Sequence, residues 1–253
     1  MRQRIGGGGI ALGLSLLVLS GIGLFIPPGV PTQAQSASDI PGYDFVIRDS
    51  DVLENAIAVP QENFDLFSAT RLVFETMKHA DNRTFRIYEN WIMWSIGLVY
   101  EPAARIRGVK RLVRGQSGYC SEAVLVLNHV ATLNGRASRY VHLEGHVVAE
   151  VQTEQGWQVA DPDFGLVFPM SIAELQSQRG IQQLRDELKR AGYGEDTTEE
   201  YVGALVTLED NYVRAGDAPS SPRLYRLEMI SEWMLWILPG VLLGVGLLLR
   251  RSI

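Results

Sequence analysis

Two uninterrupted apolar runs bracket the chain, and between them the spacing of apolar positions changes from helical to alternating. Residues 10–26 carry no charge and follow Arg2 and Arg4; residues 233–249 are also uncharged and end at Arg250 and Arg251. With its flanks, each run approaches the ~20 residues that cross a bilayer as a helix. In between, Phe64, Phe67, Leu72, Val73, Thr76 and Met77 recur near i, i+3 and i+4, which predicts a helix over 62–80. Residues 90–100, with Trp91 and Trp94, are apolar but too short to span a membrane and predict a core helix. Residues 121–134 predict a third helix, closed by Gly135. Alternation then predicts strands over 139–143, 146–152 and 156–161, parted by the turn signals Glu144-Gly145 and Glu154-Gln155-Gly156. Helical patterns follow over 171–191 and 197–214. Helices first, then a run of antiparallel strands, make the fold class α+β.

This pattern divides the chain into an apolar segment at 1–27, a Pro/Ser/Gln-rich linker at 28–42, one domain at 43–228, a second apolar segment at 229–249 and a short tail at 250–253. Arginines flank both apolar segments on the side away from the central domain. The positive-inside bias therefore predicts a membrane protein with cytoplasmic termini and an extracytoplasmic domain. The first segment has two readings. Its Arg-bearing start, Pro27-Pro28-Gly29 and Thr32-Gln33-Ala34 also fit a secretory signal peptide cleaved after Ala34, although its apolar core exceeds the usual ~7–15 residues. Either way the second segment tethers the domain. Gly9-xxx-Gly13 and Gly240-xxx-Gly244 have the spacing at which small residues let two membrane helices approach, so the spans are expected to pair. Asn82-Arg83-Thr84 matches a glycosylation acceptor.

The formal net charge of -6 argues against nucleic-acid binding. A single cysteine, Cys120, excludes an intrachain disulfide, so stability must come from the core. That thiol opens the apolar helical run at Gly118-Tyr119-Cys120-Ser121-Glu122. A helix start supplies partial positive charge and unpaired N–H groups, which favour a thiolate over the thiol. The Cys120 amide is also placed to hold an oxyanion. His146 follows the Gly145 turn, and Asp161 ends the next strand at Pro162. Thiol, imidazole and carboxylate in that order form a nucleophile, its base and the orienter of that base. His142 competes with His146, and Asp163 neighbours Asp161; Asp161-Pro162-Asp163 also fits plain turn chemistry. His79 and His129 read as structural or solvated.

Arg105, Arg107, Lys110, Arg111 and Arg114 form a basic stretch, with no acidic residue between Glu101 and Glu122. Such a stretch either draws an anionic substrate or lipid headgroups or is a solvated face. No close Cys/His ligand pair is present, so neither a metal nor another cofactor is expected.

Several of these pieces together resemble the transglutaminase-like superfamily. They are Gly118-Tyr119-Cys120 at a helix start, the Gly135 turn followed by Arg139-Tyr140-Val141, then His146, and Trp157-Gln158-Val159-Ala160-Asp161-Pro162. The resemblance covers about residues 110–165. It implies a papain-like core in which the cysteine-bearing helix packs on an antiparallel sheet carrying His and Asp, here flanked by N- and C-terminal transmembrane helices. Cys120 would be the nucleophile, His146 the general base and acid, and Asp161 the orienter. Tyr119 stands where the family often has Gln, and Val148 where it often has an aromatic. Gln116 and Tyr119 are the side-chain candidates for the oxyanion donor. The implied activity is acyl transfer from a peptide or other amide-bearing envelope substrate through a thioester on Cys120, to water or to an amine. The alternative is an inactive module for binding or assembly in the cell envelope.

Overall fold

The computed structural model describes residues 2–26, 49–79, 84–206, 212–216 and 221–251. The linker expected at 28–42, the position after Ala34 and the Asn82-Arg83 pair lie outside the described residues. In chain order the elements are α1 (Arg2–Phe25), α2 (Ser50–Ala56), α3 (Leu66–Thr76), β1 (Lys78–His79), α4 (Trp91–Gly97), a 3-10 turn (Glu101–Ala104), α5 (Val109–Gly115), β2 (Ser117–Gly118) and α6 (Cys120–Leu133). They continue with β3 (Ser138–Leu143), β4 (His146–Thr153), β5 (Gly156–Asp161), β6 (Leu166–Phe168), α7 (Ile172–Leu175), α8 (Gln178–Arg190), α9 (Glu195–Val206), β7 (Tyr212–Ala215) and α10 (Pro222–Arg251).

The chain forms two compact units. One joins Met1–Gly29, Arg83–Gly108 and Ser221–Ile253; the other joins Val30–Asn82 and Val109–Ser220. Segment 83–108, placed by the sequence inside a single 43–228 domain, thus groups with the terminal helices.

In the first unit, α1 and α10 run antiparallel, with Gly9 against Leu242 and Gly246, Gly13 against Pro239 and Leu243, and Ser20 against Leu235. A Cβ on Gly13 would stand 2.9 Å from the Pro239 carbonyl oxygen, so only glycine fits there without a shift. The expected pairing of the spans is present, but it uses only one of the two glycine pairs. Added Cβ atoms on Gly240 and Gly244 meet nothing within 4 Å. Helix α4 packs on α10. Asn90 caps α4 by accepting from the Met93 amide at 3.0 Å, and donates to Ser231 on α10 at 2.6 Å. The fully buried Glu228 takes the Arg107 and Gly108 amides at 2.9 and 3.1 Å, so backbone dipoles replace the water it has lost. Gly7–Phe25 and Pro222–Arg251 are both long and apolar enough to cross a bilayer by length and composition. Their outer faces leave Leu12, Val18, Leu24, Trp233, Val241 and Leu248 exposed.

The second unit is built on a sheet of order β6-β5-β4-β3-β7, antiparallel at every pairing. Successive side chains on a strand point to opposite faces. Val141, Leu143, Val148, Val159 and Phe168 meet Leu175 of α7, Leu184 and Leu188 of α8, and Tyr201, Val202 and Leu205 of α9 in one buried core. The alternate positions Ala149, Val151 and Ala160 are fully buried on the other face, where α6 packs on β3 and β4.

Strands β3, β4 and β5 match the expected alternation to within a residue, and Gly135 closes α6 at a φ of 71°. Three expectations need correction. The helix expected over 62–80 begins only at Leu66, after the Asp65 cap, and ends at Thr76, where the chain extends into β1. The pattern at 171–191 is two helices, because Ser177 caps a new start by accepting from Gly180 at 3.1 Å. The pattern at 197–214 stops at Val206, and Tyr212–Ala215 instead pairs with β3 as an edge strand. Three-residue β6 is too short for alternation to reveal.

Gly13→Ala is expected to weaken the α1–α10 pair by about 1–3 kcal/mol through overpacking. Gly244→Ala, which enters open space, is expected to be silent. Thermal unfolding in detergent micelles, followed by tryptophan fluorescence, checks both.

Candidate active site

Cys120 is the first residue of α6 and is partly exposed. The helix start is fixed from both sides. The Tyr119 carbonyl accepts the amides of Glu122 and Ala123, each at 3.0 Å, while the Glu122 carboxylate reaches back to the Tyr119 amide at 3.0 Å. This reciprocal arrangement follows capping-box logic, and helix geometry leaves the amides of Cys120 and Ser121 with no intrahelical acceptor. Gly118 permits the close approach: a Cβ there would stand 2.7 Å from the Glu122 Cβ. Gln116 turns the chain from α5 into β2 at a φ of 47°, a left-handed conformation unusual for a residue with a Cβ. Its carbonyl accepts the Lys78 amide at 2.8 Å, where β2 joins β1.

His146 heads β4, across the Gly145 turn from Leu143. Its Nε2 lies 2.7 Å from Oδ2 of Asp161, and Cys120 hydrogen-bonds the same ring. Burial opposes charge on this imidazole. The Asp161 carboxylate, followed by Cys120, outweighs burial and lifts its pKa well above the ordinary histidine value of 6.5. Phe164 and Tyr201 stand against the ring, with centroids at 5.4 and 5.3 Å, and restrict its orientation.

Asp161 is fully buried and accepts four hydrogen bonds. Oδ1 takes the amides of Asp163 at 2.9 Å and Phe164 at 3.2 Å; Oδ2 takes His146 and the Tyr201 hydroxyl, the latter at 2.6 Å. Turn chemistry and imidazole orientation, alternatives in the sequence, are here two edges of one carboxylate. Burial, with the Asp161 charge next, pushes the Tyr201 phenol well above its ordinary range, so it stays a donor. Tyr201 is 40 residues from Asp161, and no sequence signal marked it.

A second imidazole–carboxylate pair lies beside the first. His79 Nδ1 is 2.8 Å from both oxygens of Asp163, and its ring is 5.7 Å from that of Tyr119. The Asp163 hydrogen bond raises the His79 pKa against the opposing effect of burial, and the charges of His146 and Asp161 also reach it. His79, read from sequence as structural or solvated, is therefore part of this cluster. Asp163 serves His79 and does not compete with Asp161 for His146.

The remaining histidines stand apart. His142 projects from the face opposite Leu143 and stacks on Tyr212 at 4.1 Å; burial and Arg214 lower its pKa. His129 bonds the Ile57 carbonyl at 3.1 Å. The basic stretch is divided. Arg105 and Arg107 belong to the unit of the terminal helices, where Arg105 pairs with Glu101 at 3.6 Å. Arg107 is buried and donates to the Arg105 and Pro102 carbonyls, each at 2.7 Å. Lys110, Arg111 and Arg114 lie on α5 in the other unit, Arg114 3.5 Å from Glu54. Among the described residues, no three His, Cys, Asp or Glu side chains are grouped to hold a metal ion.

No family model matches this chain, and neither a curated protein nor a solved structure matches it.

Two consequences follow for stability. Tyr201→Phe removes a donor to a buried charge and is expected to cost about 1.5–3 kcal/mol, measured by chemical denaturation. The raised His146 pKa stabilises the fold in full below its unfolded value near 6.5, and that contribution is lost as pH rises through the folded value. His79 acts with the same sign. Denaturation midpoints across a pH series are expected to fall less on the alkaline side in His146→Gln than in the wild type.

Proposed function

We propose that this chain is a membrane-anchored thiol acyl-transfer enzyme, with Cys120 as nucleophile, His146 as base and acid, and Asp161 as orienter. The observation that carries this reading is the 2.7 Å His146–Asp161 hydrogen bond on a ring that Cys120 also hydrogen-bonds. Cys120 yields its proton to His146, and Asp161 stabilises the resulting imidazolium. The thiolate adds to an amide or ester carbonyl, and the first-turn amides of α6 face the charge that develops on oxygen. When the tetrahedral intermediate collapses, His146 returns the proton to the leaving amine and a thioester remains on Cys120. Water or an amine, deprotonated by His146, then releases the acyl group; we favour water, which makes the enzyme a peptidase or amidase. An α6 start packed against an antiparallel sheet that bears His and Asp supports a transglutaminase-like, papain-like assignment.

The apolar outer faces of α1 and α10, with arginines beyond both, support anchoring by two membrane spans with the thiol outside the cytoplasm. The substrate is then a peptide or other amide-bearing component of the cell envelope.

The test is the rate of iodoacetamide labelling of Cys120 across pH, on the full chain in micelles, beside His146→Ala. Labelling of the native chain is expected to be rapid at neutral pH and about tenfold or more slower in the variant. A rate unchanged in His146→Ala, or labelling only on unfolding, overturns the enzyme reading in favour of a module for binding or assembly in the envelope.

A further inference from the structure

The second imidazole has no part in the triad, yet it sits at the start of the cysteine helix. Strands β1 and β2 pair in parallel, with His79 opposite Gly118, two residues before Cys120. Both oxygens of Asp163 hold Nδ1, which fixes the ring plane and leaves Nε2 as the nitrogen available to a ligand. The His79 side chain is 36% exposed while that of Asp163 is 9% exposed, so the imidazole is open to solvent and its partner is shielded. Asp163 is itself positioned by the triad, because its amide is bound by Oδ1 of Asp161. The tetrapeptide Asp161-Pro162-Asp163-Phe164 therefore orients two imidazoles, one for the thiol and one for something beside it.

We infer that His79 is the side-chain donor of the oxyanion site, presenting Nε2–H to the carbonyl oxygen of an acyl group attacked by Cys120. This rests on the acyl-transfer reading above. The Cys120 Sγ lone pair forms the S–C bond while the carbonyl π pair moves onto oxygen. That oxygen accepts from His79 Nε2–H and from the Cys120 amide until the C–O or C–N bond to the leaving group breaks. A donor of this kind stabilises charge only as it develops and does not change how readily the thiolate forms. The Asp163 hydrogen bond favours the protonated ring, in which Nε2 carries a hydrogen, against the opposing effect of burial. His79 takes the role for which Gln116 and Tyr119 were the sequence candidates. The Tyr119 ring packs against that of His79, and Gln116 holds the strand pairing that places it.

Two reactions of the same thiol separate this role from others. Alkylation by iodoacetamide displaces iodide at a saturated carbon and forms no oxyanion; acylation by p-nitrophenyl acetate does form one and releases nitrophenolate. Both rates are measured on the full chain in micelles for wild type, His79→Ala, His79→Gln and Asp163→Asn, with circular dichroism as the folding check. His79→Ala is expected to slow acylation by about 10²-fold while leaving alkylation within about twofold. His79→Gln, which keeps an N–H donor, and Asp163→Asn, which keeps the ring but loosens it, are expected to fall between. If His79→Ala does not fold, selective loss of acylation in those two variants supports the assignment. Unchanged acylation overturns it, as does parallel loss of both rates, which assigns His79 to the electrostatics or packing of the thiol. A wild type that does not acylate, and whose alkylation is unchanged by His146→Ala, refutes the underlying enzyme reading instead.

Discussion

The burial of the Asp161 carboxylate constrains everything around it. A charge with no solvent exposure costs several kcal/mol unless its oxygens are filled by donors, and Asp161 fills them from three directions. Its own turn gives two amides, β4 gives His146, and α9 gives the Tyr201 hydroxyl. Each donor ties a separate element to the end of β5. The site is rigid because removing any one of them leaves a buried charge short of a partner, which is more costly than never having made the bond.

The same turn carries a second carboxylate outward. Pro162 has no N–H, so the first amide the turn can offer Asp161 is that of Asp163, which places the Asp163 side chain on His79. Two imidazoles thereby share one support, each with its pKa raised by its own carboxylate. At the other side of the site, Gly118 and Glu122 set where α6 begins and hence where the thiol stands. Thiol and imidazole come from different secondary structures, yet both lie at element starts, where backbone direction is fixed by a cap or a tight turn.

The other unit solves a different packing problem. Both helices are long and apolar enough to cross a bilayer, and in such a setting there is little hydrophobic gain between two helices, so close approach and a few hydrogen bonds would hold the pair together. Gly9 and Gly13 provide the approach, and Ser20 provides a bond to the Leu235 carbonyl. Glu228, satisfied by the Arg107 and Gly108 amides, ties the segment before α5 to α10.

The sequence by itself determined what depends on neighbours in the chain. The start of α6 at Cys120, its stop before Gly135, the three alternating strands and the order of thiol, imidazole and carboxylate all rest on caps, turns and periodicity within a few residues. Only the tertiary structure decided the rest. His79 and Asp163 are 84 residues apart, and Asp161 and Tyr201 are 40 apart; no local pattern encodes either pair. Residues 212–214 read as helix until β3 offered them an open edge, and residues 90–100 read as the core of one domain although α4 within them packs on α10. Periodicity shows that a face is buried without specifying its partner. That choice is made in the tertiary structure, where donors far apart in the sequence converge on one buried carboxylate.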